Sequence, residues 1–318
     1  MRVTNSMLSN NFMYDLNNNL ENMSIYQRQM SSGTLINKAS DDPLGASQVM
    51  QINTEMAQNK QYATNINNTT QWLSVTDTSL GQVNSVLQRI NELMVSVGDA
   101  AYGPDQRQSI KDEINTNIGQ LSQILNTSYD GKYIFGGNRG ESKPTGTTTV
   151  GGNQQLNYIN ADGTTPIQAN QMTMVKSKLS VEVSKGVTIN YNVTADDVME
   201  YKSSSGASLN LSDVLNTITS DLDSGNVSNV IGTDLSNIQD AIKNVSSVRT
   251  EVGALENRMT SVQNENQSEN TSLTQVLANT DDVDYAQMTM QFAQAQTTYQ
   301  ASLQTSAKIL QHTLVDYM

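Results

Sequence analysis

The chain has 318 residues, 36% hydrophobic and 5% aromatic, with a formal net charge of -13, which allows two or three cores but is lean for a globular enzyme. Its acidic residues are scattered and its 18 Lys and Arg form no run, so the electrostatic footprint of a nucleic-acid binder is missing and anionic membranes are disfavoured. With 0 cysteines and one histidine, His312, disulfides and thiolate metal sites are excluded, imidazole chemistry is scarce, and neither enzymatic activity nor a cofactor is expected.

The opening, Met1-Arg2-Val3-Thr4-Asn5-Ser6-Met7-Leu8, leads into Asn-rich sequence and not into an apolar run, so no cleavable secretory signal is expected. No stretch approaches the roughly 20 apolar residues that cross a bilayer, and composition alone points to the cytoplasm. Leu8, Phe12, Leu16, Leu20, Met23 and Met30 then repeat at helical spacing, predicting an amphipathic helix too narrow in its stripe to be stable unpacked. Ser31-Ser32-Gly33 breaks it. Ser40-Asp41-Asp42-Pro43 opens the next, with Asp42 at the cap and Pro43 at the first helical position.

A heptad ladder follows through Val49, Ile52, Met56, Asn59, Ala63, Ile66, Thr70 and Leu73. It slips by one residue and resumes at Leu80, Val83, Leu87, Ile90, Met94 and Val97. A helix to about Gly98 is predicted, roughly 80 Å long at 1.5 Å per residue. Gly103-Pro104-Asp105 starts another, carrying Ile110, Ile114, Asn117, Leu121, Ile124 and Ser128 until Tyr129-Asp130-Gly131 turns the chain, and helix, turn and helix imply an antiparallel helical hairpin.

Between about Gly137 and Ser205 the period changes to two, most clearly in residues 178–184 and 187–193, joined through Lys185-Gly186 as a β-hairpin. Gly136-Gly137-Asn138-Arg139-Gly140 and Ser203-Ser204-Ser205-Gly206 read as flexible, turn-rich flanks. Helix resumes near Leu209. A second ladder runs through Leu235, Ile238, Ile242, Val245, Arg249, Val252, Leu255, Met259, Val262, Asn266, Glu269, Leu273 and Val276. The last segment repeats Tyr285, Met288, Phe292, Ala295, Tyr299, Leu303, Ala307, Leu310, Leu314 and Tyr317, with one extra step of four resembling a stutter.

The expected fold is mainly α: a long heptad-patterned helical rod, a coiled-coil bundle with a small β-rich insert domain. Residues 1–31 with 281–318 would form a terminal coiled-coil assembly domain, residues 32–136 with 206–280 the helical rod, and residues 137–205 the β-rich surface domain. The functional residues are then seam residues. The expected assembly interface comprises Phe12, Leu16, Leu20, Met23 and Met30 with Tyr285, Met288, Phe292, Tyr299, Leu303, Leu310 and Leu314. Spacing leaves open whether these seams close within one molecule or between molecules, although terminal helices that must find a partner often couple assembly to ordering. On that ground both ends of the free monomer are expected to be largely disordered.

Other chemistry is thin. Glu141-Ser142 stands where a phosphate loop needs Gly-Lys. A calcium loop begun at Asp281 would meet Ala286 and Phe292 where it needs Gly and Glu, so Asp281, Asp282 and Asp284 read as helix caps. Asp41 and Asp42 read the same way, His312 as a residue suited to a helix C-terminus, and Trp72 with the methionines as core filling. A secreted enzyme or lectin-like module in the insert is disfavoured, because residues 137–205 hold no His, Trp or acid cluster.

Residues 31–45, Ser-Ser-Gly-Thr-Leu-Ile-Asn-Lys-Ala-Ser-Asp-Asp-Pro-Leu-Gly, closely resemble the N-terminal signature of the bacterial flagellin superfamily. Asp105 to Ile114 is similar to its next helix, and the last helix resembles the flagellin terminal helix. Within the superfamily, the opening eight residues, Gly131-Lys132-Tyr133-Ile134-Phe135-Gly136-Gly137 and the ending Leu314-Val315-Asp316-Tyr317-Met318 are similar to the hook-filament junction family, hook-associated protein 3. Thr34-Leu35 departs from the Leu-Arg frequent in flagellins. The resemblance implies export through the flagellar type III apparatus with an export chaperone, overriding the cytoplasmic expectation. It implies a ring of copies joining hook-associated protein 1 to flagellin in the extracellular flagellum, with a flagellin or minor filament subunit as the alternative.

Overall fold

The computed structural model describes residues 5–98 and 103–315, and their side chains except at 5, 6, 8 and 308–315. Helix α1 (Asn5–Ser32) is followed by α2 (Pro43–Val97), 55 residues long, and α3 (Pro104–Leu125). Four antiparallel hairpins and two short helices come next: β1 (Ser128–Tyr129) with β2 (Lys132–Tyr133), β3 (Thr145–Val150) with β4 (Asn153–Tyr158), α4 (Ala169–Lys176), β5 (Ser180–Ser184) with β6 (Val187–Asn190), α5 (Ala195–Met199), and β7 (Glu200–Lys202) with β8 (Ser208–Asn210). Then α6 (Leu211–Ser224), the single turn α7 (Val227–Asn229) and a π-helical turn (Val230–Asp234) lead to α8 (Leu235–Asp281) and α9 (Tyr285–Val315). The mainly helical fold with a β-rich insert is the one the patterning predicts. The chain divides into two compact units, Met1–Lys60 with Ser268–Met318, and Gln61–Gln267.

The core lies in the central unit, where a true heptad is buried. Ile66, Leu73, Leu80, Leu87 and Met94 follow at intervals of seven on α2 and are fully buried, and the same series begins earlier at Ile52 and Asn59. The register never breaks. Its companion position changes side instead, from half-buried Met56, Ala63 and Thr70 to buried Thr69, Thr76, Val83, Ile90 and Val97. Apolar spacing reads this as a one-residue slip because the buried companion is a threonine at 76. Its hydroxyl donates to the Trp72 carbonyl at 2.8 Å, which satisfies the buried oxygen without a tertiary partner. On α8, Ile238, Val245, Val252 and Met259 repeat by seven, and Ile114, Ile118 and Leu121 of α3 with Leu215 and Ile218 of α6 close the same core.

Arg249, a polar residue on the predicted ladder, is half-exposed and holds both carboxylate oxygens of Asp77 on α2, at 2.7 and 3.0 Å. Such a forked pair fixes geometry more than it stabilises. Trp72 meets Tyr129 and Tyr191 edge-on, with ring centres 6.2 and 5.8 Å apart, fastening α2 to the hairpins.

Both flanks of the insert are pinned, in contrast to the flexible boundaries expected from their composition. The buried Arg139 guanidinium donates to Gln171 Oε1 and to the carbonyls of Lys143 and Ile159, each at 2.8 Å. Burial lowers its pKa from the usual arginine value. At the other flank, buried Asp240 accepts from the Ser204 N–H at 2.8 Å, the Ser204 hydroxyl at 2.6 Å and Lys243 Nζ at 3.0 Å, and these bonds hold its carboxyl far below the ordinary range. Long-range partners such as these have no local sequence signature.

Candidate assembly interface

The terminal unit starts from two helix breaks that meet. Gly33 ends α1 with φ +77°, a left-handed conformation that glycine adopts freely, and the Tyr285 hydroxyl sits 3.2 Å from where a Cβ would stand. Across the break the Leu35 N–H donates to the Asp281 carbonyl at 2.6 Å, the Ile36 N–H to Asp281 Oδ1 at 3.0 Å, and the Val283 N–H back to the Gly33 carbonyl at 3.2 Å. Thr34 and Asp282 form an antiparallel bridge. Asp281, buried, therefore clasps the start of one connection to the end of α8.

Of the remaining acids expected to cap helices, Asp42 and Asp284 do so, whereas Asp41 Oδ2 accepts from the Lys38 N–H at 3.0 Å within the connection and Asp282 takes part in the bridge to Thr34. Asp42 Oδ1 accepts from the Leu44 and Gly45 N–H groups at 3.1 Å each, and Asp284 Oδ1 from Ala286 and Gln287 at 2.9 and 3.2 Å. A Cβ at Gly45 would lie 2.5 Å from Asp42 Oδ2 and 2.6 Å from Ile36 Cδ1. The Asp-Asp-x-x-Gly spacing is thereby a packing requirement. Among the described residues no three His, Cys, Asp or Glu side chains gather as a metal would need.

Helices α1 and α9 pack against each other in antiparallel fashion, with Asn19 Nδ2 donating to the Ala295 carbonyl at 3.3 Å. Their shared seam is regular. On α1 it runs through half-buried Phe12, Leu16, Asn19, Met23, Tyr26 and Met30, and on α9 through buried Met288 and half-buried Phe292, Ala295, Tyr299, Ser302 and Ser306. Steps of four and three alternate without interruption, so the stutter suggested by Leu303 and Ala307 is absent. The seam keeps its period by accepting Asn19, Ser302 and Ser306 and turning two leucines out.

Of the residues expected at the interface, Phe12, Leu16, Met23, Met30, Met288, Phe292 and Tyr299 thus face the intramolecular seam. Leu20, Tyr285 and Leu303 are exposed, at 40, 54 and 44%. The side chains of Leu310 and Leu314, like that of His312, fall outside the described residues. Sequence reasoning did not single out Met7, Met13, Tyr14 and Met290, which are also exposed. The signal lay in their being apolar at positions the seam does not use.

Helical periodicity of about 100° per residue puts Met13 with Leu20 on one flank of α1, and Tyr285 with Leu303 on one flank of α9. In an antiparallel pair these flanks turn to the same side. Met7 with Tyr14, and Met290, lie toward the backs of their helices. The helix pair therefore presents on one side four large apolar side chains that nothing in this chain covers among the described residues, set among exposed Ser24, Gln27, Thr289 and Gln296, and these can pack against a further helix. No described helix is long and apolar enough to cross a membrane.

The family model for the bacterial flagellin N-terminal helical region matches residues 3–139, and that for the flagellin C-terminal helical region matches residues 235–318. Flagellar hook-associated protein 3 of Salmonella typhimurium is 32% identical over 152 residues, 48% of each chain. The chain thus aligns with about half the length of that relative. The protein of the same name from Escherichia coli is 26% identical over 95% of both. Flagellin of Bacillus subtilis is 24% identical over 95% of this chain and 94% of its own. In fold, a crystal structure of flagellar hook associated protein-3 from Legionella pneumophila superposes with a TM-score of 0.60 at 12% identity, covering 73% of this chain and 98% of that one. Both flagellin helical regions are present and in order, and the chain belongs to the bacterial flagellin family, in which it is similar to hook-associated protein 3.

Proposed function

We propose that this chain is a structural adaptor of the bacterial flagellum, joining the hook, through hook-associated protein 1, to the flagellin filament. The observation that carries the reading is the uncovered apolar side chains on one side of the α1–α9 pair. Each large apolar side chain that a neighbouring copy buries contributes roughly 1.5–3 kcal/mol, so copies arranged as a ring would close, from one molecule to the next, the layer that one chain leaves open. Residues 1–31 with 281–318 act as the assembly domain, 32–136 with 206–280 as the rod, and 137–205 as the outward surface. Export proceeds through the flagellar type III apparatus with a dedicated chaperone, delivering the chain to the extracellular hook-filament junction. Neither nucleic acid nor membrane takes part, and no catalytic step is involved.

The terminal helices fold fully only on assembly in this reading, because a two-helix pair with half-buried seams is marginal in water. Slow amide exchange at both ends of a dilute monomer would count against that feature. A second reading, a flagellin or minor filament subunit, draws on the similarity to Bacillus subtilis flagellin over nearly the whole chain.

Electron microscopy of a strain lacking the gene, with an immunoblot for flagellin in its medium, separates the two. Hooks without filaments and flagellin shed as monomer are expected for the adaptor. Filaments of ordinary length would overturn it in favour of the second reading.

A further inference from the structure

A cavity of about 300 Å³ opens between α2 and the insert, walled by Trp72 of α2, Lys132 of β2, Arg139 and Glu141 of the loop after β2, Met174 of α4, and Leu179. Its wall is preformed. Gly137 turns that loop at φ +59°, where a Cβ would stand 2.3 Å from the Val175 carbonyl, and the Asn138 N–H donates to the Met174 carbonyl at 2.9 Å, so the loop rests directly on α4. The charge around the cavity is unbalanced. Arg139 is only 6% exposed, yet its guanidinium meets Gln171 Oε1 and two backbone carbonyls and, among the described residues, no carboxylate. Buried charges are ordinarily paired. Its Nε also lacks an acceptor, as does Nε1 of Trp72, itself 8% exposed, and buried donors left unanswered are rare in a folded chain. Lys132 is exposed and makes no ion pair among the described residues, and Glu141, also exposed, is the single acid of the lining.

We propose that this cavity binds a small organic carboxylate, whose anion is the missing counter-charge of Arg139 and accepts from Arg139 Nε and Trp72 Nε1, with Lys132 as a second cation and Met174 and Leu179 against an apolar body. Two separate N–H donors match the two oxygens of a carboxylate. A volume of about 30 Å³ for each water-sized group limits the ligand to about ten non-hydrogen atoms, and the apolar walls with a few convergent polar groups are those of a small-molecule site. The insert has no tryptophan of its own. The fold supplies one from α2, so an occupant touches both the rod and the hairpins and ties one to the other. The site lies wholly within Gln61–Gln267 and is independent of what the terminal helices dock against.

The test uses the full chain and hexanoate, with hexanol as its uncharged counterpart and inorganic phosphate as an anion without an apolar body. Trp72 is the only tryptophan, so its indole N–H gives a single, unambiguous signal in a proton–nitrogen correlation spectrum. Hexanoate should move that signal saturably, as an N–H shifts on gaining an acceptor, and should bind at least about tenfold more tightly than hexanol, because hydrogen bonds to a charged group are the stronger ones. Phosphate should also bind at least about tenfold more weakly, since it leaves the apolar walls uncovered. Trp72→Phe, followed by calorimetry, should weaken hexanoate about tenfold. Lys132→Met, at an exposed position, should keep the urea midpoint of wild type and weaken hexanoate about threefold, the effect of a solvated cation. A shift that rises linearly without saturating, equal binding of hexanol or of phosphate, or an unchanged affinity in Lys132→Met would each overturn the proposal.

Discussion

The terminal and central units use the same heptad pattern and close it to different degrees. In Gln61–Gln267 the seam residues Leu73, Leu80, Leu87 and Met94 are fully buried because α3, α6 and α8 supply further layers around α2. In Met1–Lys60 with Ser268–Met318, Ile52, Val283 and Met288 are the buried apolar side chains among the described residues, and Leu20 and Leu303 stay open. Two helices cover only one stripe of each other, so a pair with apolar residues outside that stripe is left with surface to share. A heptad alone therefore does not tell a core from an interface. The number of layers around it does.

That contrast can be broken first in the core. Leu87→Ala should lower the stability of the central unit by about 3 kcal/mol, the usual cost of a buried leucine cavity, seen as a fall in urea midpoint without a change in slope. A loss below about 1 kcal/mol would mean that the central heptad is less closed than its burial indicates.

A second test of the same unit is electrostatic. Asp234, buried in the π-helical turn with one carboxylate oxygen unpartnered, has its pKa pushed up to about 6 by burial and by Asp221 on α6. The folded state therefore favours the neutral acid. Its contribution is fully present below about pH 4, near the unfolded value, and is lost as pH rises through about 6. Asp234→Asn, neutral at every pH, should gain on the order of 2–3 kcal/mol over wild type at pH 8 and nothing near pH 4, since one pKa unit is about 1.4 kcal/mol. Parallel stability curves for the two proteins from pH 4 to 8 would contradict this.

In the terminal unit Asp281→Ala removes the side-chain acceptor of the half-buried Ile36 N–H, at a cost of roughly 1 kcal/mol, the usual net worth of such a hydrogen bond. Faster amide exchange at Ile36, with the core amides of α3 unchanged, is the expected readout. Leu20→Ala should have the smallest effect on stability, within about 0.5 kcal/mol as for exposed positions, while reducing docking to isolated hooks. Equal losses of stability from Leu20→Ala and Leu87→Ala would erase the distinction between the two units.

The helices, their breaks and the β-rich insert were legible in the chain because they depend on local rules. Asp42 caps with Pro43 behind it, Gly33 takes the left-handed turn, and periods of seven and two mark rod and hairpin. Tertiary structure decided which face of each terminal helix turned inward. Apolar character nominated Leu20 and Leu303, yet packing chose Asn19, Ser302 and Ser306, because a straight seam needs alternating steps of three and four more than it needs every contact to be apolar. The pins at Arg139 and Asp240 were likewise beyond local reading, since each joins residues that only the folded chain brings within hydrogen-bond distance. Sequence fixes what a segment can become through short-range sterics and periodicity, and long-range packing settles which of its surfaces remain to be shared.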